Sequence, residues 1–524
     1  MALALTFAAS RASAQEPSTL SFHALNQLEY SLNTDGDRAT NVPQEILEEW
    51  LDLDVRYERV LLGFRYEAFQ PHEKPRFLEQ TADSVREGIV QRYAAFEFGG
   101  SGGGGANGGD KGSGGIRVGN FYEIFGKGLL FRSYEDRAIR IDGNMEGVQL
   151  WGSRGRLAAK AISGRMREVE TDRRTDILHG ADLEARVAPG LALGGSYLIR
   201  SARDPRVSPT PLEPRHVEAL GGRASYNHSA FDLYAEAGRI NRHFLSTVDL
   251  FSGRGYDDIR GKGYYASLSL YPPIDTGPLS ALPIHGAALT AQLKNYDNFR
   301  FQPEGSGQTD YNNPPAATRE NAYTLLSRHP HILDADDEQG FSVEANVNPT
   351  ANSKLTLYRA ETDRQGGDPY YHEWYAEWRT HLGDAYDLAL VYDVIDNNQT
   401  GTEDKTPIVE VEYAPGGGWS LRGEYQYQDS DIAAVGDVPA SEASTHLALL
   451  EYNISSDLTV SAVGERATAI EENFVYAQVD YHLSQEHFVS VTVGNRREGF
   501  VCVGGICRFE PAFEGVEARF ITSF

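Results

Sequence analysis

Residues 51–68 read LDLDVRYERVLLGFRYEA, and apolar side chains occupy alternate positions on both sides of residues 58–59. Leu51, Leu53 and Val55 alternate with charged residues before this point, and Leu62 and Phe64 alternate with Gly63 and Arg65 after it. A period of two residues is typical of a β-strand with two unlike faces, whereas a helix repeats every 3.6 residues. The stretch therefore predicts two antiparallel strands joined by a tight turn.

The same alternation recurs along the chain, for example in residues 386–393, 419–428 and 475–483. We predict about 24 strands on this basis, within a range of about 20–26. Most are about 9–13 residues long, which suits a tilted membrane-spanning strand better than a strand of a soluble sheet. The predicted strands are residues 19–33, 46–57, 58–70, 87–98, 115–126, 144–153, 156–168, 178–188, 190–201, 216–227, 229–243, 260–272, 285–299, 339–348, 354–363, 371–381, 385–396, 406–414, 418–428, 444–453, 457–467, 473–483, 487–498 and 511–524.

The connections between these strands alternate between short and long. Short turns lie at residues 57–59, 227–229, 382–384, 454–457 and 484–486, and long polar loops lie at 71–86, 202–215, 300–338 and 429–443. Outer-membrane barrels have short periplasmic turns and long extracellular loops. Since a sheet in lipid must have no unpaired edges, we predict an all-β fold, a closed antiparallel transmembrane β-barrel in the cell outer membrane.

The chain ends within a predicted strand on an aromatic residue. Phe524 shares one face with Thr522, Phe520, Ala518 and Val516. This arrangement resembles the C-terminal signal that outer-membrane barrels present to their insertion machinery. We therefore expect outer-membrane lipid and that machinery as partners, with Phe524 as the insertion signal.

Composition excludes several other classes of protein. The formal charge of −27 argues against nucleic acid as a partner, because nucleic acid is also negative. Beyond the N-terminus the sequence has no apolar run of about 18 residues, the length that a transmembrane helix needs. Two cysteines are too few for a disulfide-dense scaffold or a four-thiolate zinc site.

The domain organisation is predicted to be simple. Residues 1–14 end in Ala12-Ser13-Ala14, which fits the cleavage site of a signal peptide. Residues 15–524 then form a single barrel domain. The Gly-rich tract 99–115 is predicted to be a flexible linker.

Tryptophan and tyrosine near strand ends suggest aromatic girdles at the two membrane surfaces. The tryptophans assigned to them are Trp50, Trp151, Trp374, Trp378 and Trp419.

The least repetitive stretch is residues 119–148. It contains GNFYEIFGKGL at 119–129, RSYEDR at 132–137 and an Asp-Gly turn at Asp142. This resembles the signature of an uncharacterised family of Gram-negative outer-membrane β-barrels, G-N-F-Y-E-x-F-G-x-G-L followed by R-x-Y-E-x-R. The resemblance covers about thirty residues and implies fold and location, because the family has no assigned activity.

Charged residues in this stretch have two interpretations. They form a constriction folded into the lumen, or they belong to a loop packed by its own salt bridges. The candidate constriction residues are Arg132, Glu135, Asp136, Arg137, Arg140 and Asp142.

The longest loop carries His329 and His331, followed by Asp334, Asp336, Asp337 and Glu338. These side chains could ligate a transition metal or calcium, but loop histidines and acidic runs are more often solvated. We therefore assign no metal site.

Cys502 and Cys507 bracket four residues in the last outer loop. In an oxidising compartment this spacing predicts a disulfide that closes a hairpin tip.

No catalytic motif appears in the sequence, so we expect neither an enzyme nor a cofactor. A barrel of this size is too wide to be filled by strand side chains alone. We expect a porin-like channel or passive transporter for small polar solutes, narrowed by inward-folded loops. The alternative is a non-transporting barrel that anchors a periplasmic or surface protein, such as an export or surface-assembly component.

Carboxylates predicted to face the lumen outnumber the arginines there, which predicts a modest preference for cations. The carboxylates are those of Asp52, Asp54, Asp232, Glu236, Glu410, Glu412, Glu424 and Asp480.

Overall fold

The structure is a computed structural model of the 524-residue chain. It describes residues 20–34, 45–70, 86–99, 112–137, 141–167, 174, 176–201, 216–243, 258–273, 283–301, 311–434, 440–468, 472–503, 506–510 and 512–524. The predicted signal peptide, residues 1–14, lies outside these ranges.

The structure is a closed antiparallel β-barrel of 24 strands. The barrel strands are β1 (Leu20–Asn33), β2 (Glu45–Tyr57), β3 (Val60–Gln70), β4 (Arg86–Phe98), β5 (Ser113–Phe121), β10 (Met145–Arg154), β11 (Leu157–Met166), β12 (Ile177–Ala188), β13 (Leu191–Ser201), β14 (His216–His228), β15 (Phe231–His243), β16 (Ile259–Leu270), β17 (Gly286–Asp297), β18 (Asp337–Thr350), β19 (Ser353–Asp363), β20 (Pro369–Leu382), β21 (Tyr386–Asn397), β22 (Thr402–Tyr413), β23 (Ser420–Ile432), β24 (Ser441–Asn453), β25 (Leu458–Ala467), β26 (Glu472–His482), β27 (His487–Arg496) and β30 (Phe513–Ser523). Shorter elements lie between them: β6 (Glu123–Phe125), β7 (Phe131–Ser133), β8 (Glu135–Asp136), β9 (Ile141–Asp142), α1 (Thr324–Ser327), β28 (Gly499–Val503) and β29 (Ile506–Glu510).

Ring closure is made by the first and last strands. β1 pairs with β30 in antiparallel register from Leu25 opposite Ser523 to Asn33 opposite Gly515. β5 pairs with β10, so the four short strands between them leave the ring uninterrupted. The predicted fold class and strand number are confirmed.

The two faces of each strand differ as the period of two predicts. On β21, Ala389 and Val391 point inward and are 2% and 4% exposed, whereas Leu390 and Tyr392 point outward and are 40% and 50% exposed. The outward rows are mainly apolar, and an aromatic chain of Tyr386, Tyr413, Trp419 and Tyr452 follows one end of the wall. A closed sheet with an apolar exterior has the architecture of an outer-membrane barrel.

Most short turns lie at one end of the barrel, the short-turn end, where they include residues 58–59, 155–156, 189–190 and 351–352. The opposite, long-loop end carries the longer connections, although residues 364–368 and 398–401 are short there. No helix among the described residues has the length and hydropathy of a membrane span.

Three expectations need correction. Trp50 points inward with Asp52 and is 6% exposed, and Trp151 covers Gly115 on the inner face of β10, so neither belongs to an outer girdle. Strand parity, rather than residue type, determines the face on which a tryptophan lies. The predicted linker 99–115 ends too late, because Ser113–Gly115 belong to β5; residues 100–111 lie outside the described residues.

Candidate functional site

The lumen holds two connections that fold inward from the long-loop end. We call residues 122–144, between β5 and β10, the first inner loop, and residues 298–336, between β17 and β18, the second inner loop. Within them, residues 138–140 and 302–310 are outside the described residues.

Apolar side chains of both loops form a core inside the ring. Phe125, Leu130 and Phe131 of the first loop and Phe299 and Phe301 of the second are all 0% exposed, and they belong to one cluster with inward residues of the wall. Burying this many apolar groups inside a barrel is strongly favourable, since each large side chain contributes about 1.5–3 kcal/mol. The two inner loops are therefore packed parts of the barrel interior and are not solvated loops.

Wall glycines make room for this core. An added Cβ would lie 2.6 Å from Leu130 at Gly221, 2.8 Å from Leu130 at Gly238 and 2.6 Å from Phe299 at Gly263. These three inward positions on β14, β15 and β16 form a shallow trough that receives the two loops. Only glycine leaves space for so close an approach.

The two inner loops also bind each other. The Arg132 amide donates to the Tyr311 carbonyl at 3.0 Å, and the Asn313 amide donates to the Gly128 carbonyl at 3.2 Å. The Asn312 side chain donates to the Phe299 and Leu129 carbonyls at 2.8 and 3.3 Å. Movement of one loop would therefore disturb the other.

A charged network ties the first inner loop to β2 and β3. The Arg65 guanidinium, 7% exposed, donates to Asp52 at 2.6 and 3.2 Å and to Glu135 at 2.6 and 2.9 Å. Arg137 donates to Asp52 at 2.6 Å and to Glu135 at 2.9 Å. Two wall residues and two loop residues thus form a four-membered ion cluster.

The network continues to the far end of the same loop. Asp142 accepts hydrogen bonds from Tyr122 at 2.8 Å, Gln91 at 2.9 Å and Arg167 at 2.5 Å. Burial beside the Asp142 carboxylate raises the pKa of Tyr122, so this phenol stays protonated and remains a donor.

The candidate constriction residues are thus separated into groups. Glu135, Arg137 and Asp142 join the network of Arg65, which lies 3.9 Å from Asp142. Arg132 instead lies over the Tyr134 ring at 4.2 Å. Asp136 pairs with Ile141 in the β8–β9 ladder, and Arg140 is outside the described residues. That these residues form a constriction stays a prediction.

The second inner loop extends through the lumen to β23 and β25. Arg328 donates both terminal nitrogens to Glu465 of β25 at 2.5 and 2.7 Å, and the Leu325 amide donates to Gln426 of β23 at 2.9 Å. Leu325 packs with the inward residues Leu447 and Val463. The helix α1 is therefore held in place by an ion pair at Arg328, a backbone hydrogen bond and apolar packing.

The two loop histidines meet separate carboxylates. His329 lies 3.0 Å from Asp404, and His331 lies 2.9 Å from Glu338, which also pairs with Lys294. Burial lowers the pKa of both imidazoles, so both are neutral at pH 7. Within the described part of the chain, no group of three or more His, Cys, Asp or Glu side chains has the arrangement of a metal site.

The predicted disulfide lies at the long-loop end. The backbones of β28 and β29 pair with Cys502 opposite Cys507. Their side chains lie outside the described residues, so the disulfide remains a prediction.

Sequence reasoning missed the wall partners of the inner loops. Asp52, Arg65 and Arg167 lie in different strands, and nothing local in the sequence connects them with Glu135 or Asp142. Two signals were available: inward glycines on neighbouring strands, and apolar residues such as Leu129 and Leu130 within a polar connection.

The whole chain is similar to a family of proteins without an assigned activity. A family model described as "Family of unknown function (DUF6029)" matches residues 1–357 and 341–524, so the chain belongs to this family. The match confirms the expectation of a family without an assigned activity. No curated protein matches the chain.

Several solved structures show partial similarity. The copper transporter OprC is 12% identical, with a TM-score of 0.41 over 98% of this chain and 82% of that one. The translocation pore of the P pilus usher PapC is 10% identical, with a TM-score of 0.43 over 96% and 99%. The siderophore receptor PirA from Acinetobacter baumannii is 10% identical, with a TM-score of 0.39 over 96% and 80%.

Proposed function

We propose that this member of a family of unknown function is a channel of the Gram-negative outer membrane that passes small polar solutes through a lumen narrowed by its two inner loops. The observation that carries the proposal is the pair of loops that meet inside the ring and are each bound to its wall. A barrel of 16–18 strands already leaves an aqueous channel, so a ring of 24 strands is wide enough to hold both loops and a water path. The proposal assigns no catalytic step to the chain.

Orientation follows from the asymmetry of the connections. In outer-membrane barrels the short turns face the periplasm and the long loops face the outside. The inner loops would then enter the lumen from the external side, and the short-turn end would be the periplasmic mouth.

The periplasmic mouth is acidic. Asp232, Glu412 and Asp480 point inward near the short-turn end and are partly exposed. Fixed negative charge on a pore wall raises the local concentration of cations. We therefore expect a modest cation preference.

Planar-bilayer recording of the purified full-length chain tests this function. We expect small single-channel steps and a reversal potential of cation sign in a KCl gradient. Replacing Asp232, Glu412 and Asp480 together by asparagine or glutamine should reduce that potential, whereas the same change at the outward-facing Asp429 serves as a control. An anion-selective pore would contradict the charge argument. If no ionic current is recorded even when the Arg65 and Arg328 contacts that hold the two inner loops have been removed, the protein is not a channel.

The second candidate function is a barrel that anchors a periplasmic or surface protein. Its sequence support is the Gly-rich tract, most of which lies outside the described residues. The channel therefore has the stronger structural support.

A further inference from the structure

The wall beneath the second inner loop contains a buried carboxylate without a side-chain donor. Asp393 of β21 is 0% exposed, and within the described residues no side chain donates a hydrogen bond to either of its carboxylate oxygens. Buried carboxylates are normally paired, hydrogen-bonded or bound to a metal. Asp393 therefore requires a compensating group.

A second buried carboxylate lies beside it. The β20–β21 register pairs Tyr375 with Asp393 and Glu373 with Ile395, so Glu373 and Asp393 are diagonal neighbours on the inner face. Glu373 is also 0% exposed, and the donors that it meets are neutral: Tyr371 at 3.1 Å and Asn321 at 3.2 Å. Two negative charges thus share one buried patch.

The nearest arginine is engaged elsewhere. Arg319 lies over the Tyr375 ring at 3.9 Å and forms its ion pairs with Glu344 at 3.4 Å and Glu377 at 3.6 Å. It contributes a positive field to the patch but makes no ion pair with Asp393 or Glu373 within the described part of the chain. The charge of the carboxylate pair is therefore not locally balanced.

The inner loop supplies a further oxygen. The side-chain carbonyl of Asn321 is buried without a partner among the described residues. The amide nitrogen of the same side chain donates to Glu373 at 3.2 Å, so this oxygen lies next to that carboxylate.

From this arrangement we propose a calcium site formed by the carboxylates of Asp393 and Glu373 and the side-chain carbonyl of Asn321. A divalent cation balances the two carboxylates, and a donor set made only of oxygen suits a hard cation. Calcium fits better than magnesium, because calcium accepts irregular sets of oxygen ligands completed by water, whereas magnesium requires near-ideal octahedral geometry. The ion ties the second inner loop to β20 and β21.

Equilibrium dialysis with ⁴⁵Ca²⁺ tests the proposal on the detergent-solubilised full-length chain after its divalent ions have been removed. With only two protein carboxylates, we expect one ion per chain with a Kd of roughly 10 μM to 1 mM. Asp393→Asn should abolish this binding, and Glu373→Gln should weaken it at least tenfold. Asp182→Asn is the matched control, because Asp182 also points into the lumen but accepts hydrogen bonds from Arg223 at 2.6 and 2.9 Å.

Thermal unfolding gives a second readout. A chelator should lower the Tm of the wild-type chain and of Asp182→Asn, but it should leave the Tm of Asp393→Asn unchanged. If Asp393→Asn does not fold, as judged by heat-modifiable migration on a gel, Glu373→Gln carries the comparison. Equal calcium binding by the wild type and the site variants would overturn the assignment. The absence of saturable calcium binding by the wild type would also overturn it, and would mean that the two carboxylates are neutral acids.

Discussion

Removing Arg65 should release the first inner loop from the wall. This guanidinium is 7% exposed and donates two hydrogen bonds to Asp52 of the wall and two to Glu135 of the loop. Breaking one side of a buried ion pair costs about 3–5 kcal/mol, because the remaining charges are left without their partner. Arg137 still contacts both carboxylates, so we expect the lower end, about 3 kcal/mol, for Arg65→Ala.

That loss can be converted into a population. At about 1.4 kcal/mol per factor of ten, the undocked state of the first inner loop should become about 100-fold more populated. Hydrogen–deuterium exchange of residues 131–137 in detergent reports this population directly. Amides there should exchange about 100-fold faster in Arg65→Ala than in the wild type.

Arg56→Ala is the matched control. Arg56 is on β2 and pairs with Glu97 at 2.8 Å, but both side chains are more than 40% exposed. An exposed pair contributes about 0–1 kcal/mol, so exchange should change by about fivefold at most. If Arg65→Ala and Arg56→Ala exchange alike at residues 131–137, the charged network does not hold the loop and the reasoning fails.

Other perturbations address the remaining contacts. Arg328→Ala removes the bidentate ion pair of the second inner loop and should raise single-channel conductance; unchanged conductance would show that this contact does not control the pore. Gly263→Val places atoms where Phe299 packs and should increase exchange in both loops, and protection equal to the wild type would argue against the trough. Burial lowers the pKa of His331 below its usual value, so docking of the second loop is complete above about pH 6.5 and weakens as the pH falls further. Protection of amides near residue 331, corrected for the slower intrinsic exchange at low pH, should therefore fall from pH 7.5 to pH 5, and protection that does not change with pH would contradict this. Alkylation without reductant should leave the mass of the chain unchanged if Cys502 and Cys507 are joined, whereas two added labels would show free thiols.

The barrel could be predicted from sequence because its determinants are local. The alternation in residues 51–68 repeats in strand after strand, and a period of two leaves little ambiguity about which side chains share a face. The eight lumen carboxylates were placed on the inner face by this rule alone, and the structure has them there. The same rule places Trp50 and Trp151 on the inner face, whereas residue type alone predicts that they belong to the outer aromatic girdles.

The interior could not be predicted because its contacts are distant in sequence. Arg65 and Glu135 are 70 residues apart, and Arg328 and Glu465 are 137 apart. Patterning shows that residues 119–148 are unusual, but it does not show whether a loop turns into the lumen or away from it. The burial of Leu130 depends on Gly221 and Gly238, and Phe125 packs against Gly180; these glycines belong to strands that come later in the chain.

The central claim is that alternate residues of each strand face lipid and lumen within a closed ring. Spin labels introduced one at a time at residues 408–411 of β22, in a cysteine-free background and in lipid vesicles, test it most directly. Val409 and Val411 are 43% and 41% exposed on the outer face, whereas Ile408 is 1% exposed on the inner face. Labels at 409 and 411 should collide readily with dissolved oxygen and hardly at all with a water-soluble nickel complex, while labels at 408 and 410 should be poorly accessible to oxygen. Equal oxygen accessibility at all four positions, or nickel access at 409 and 411, would contradict a membrane-spanning barrel.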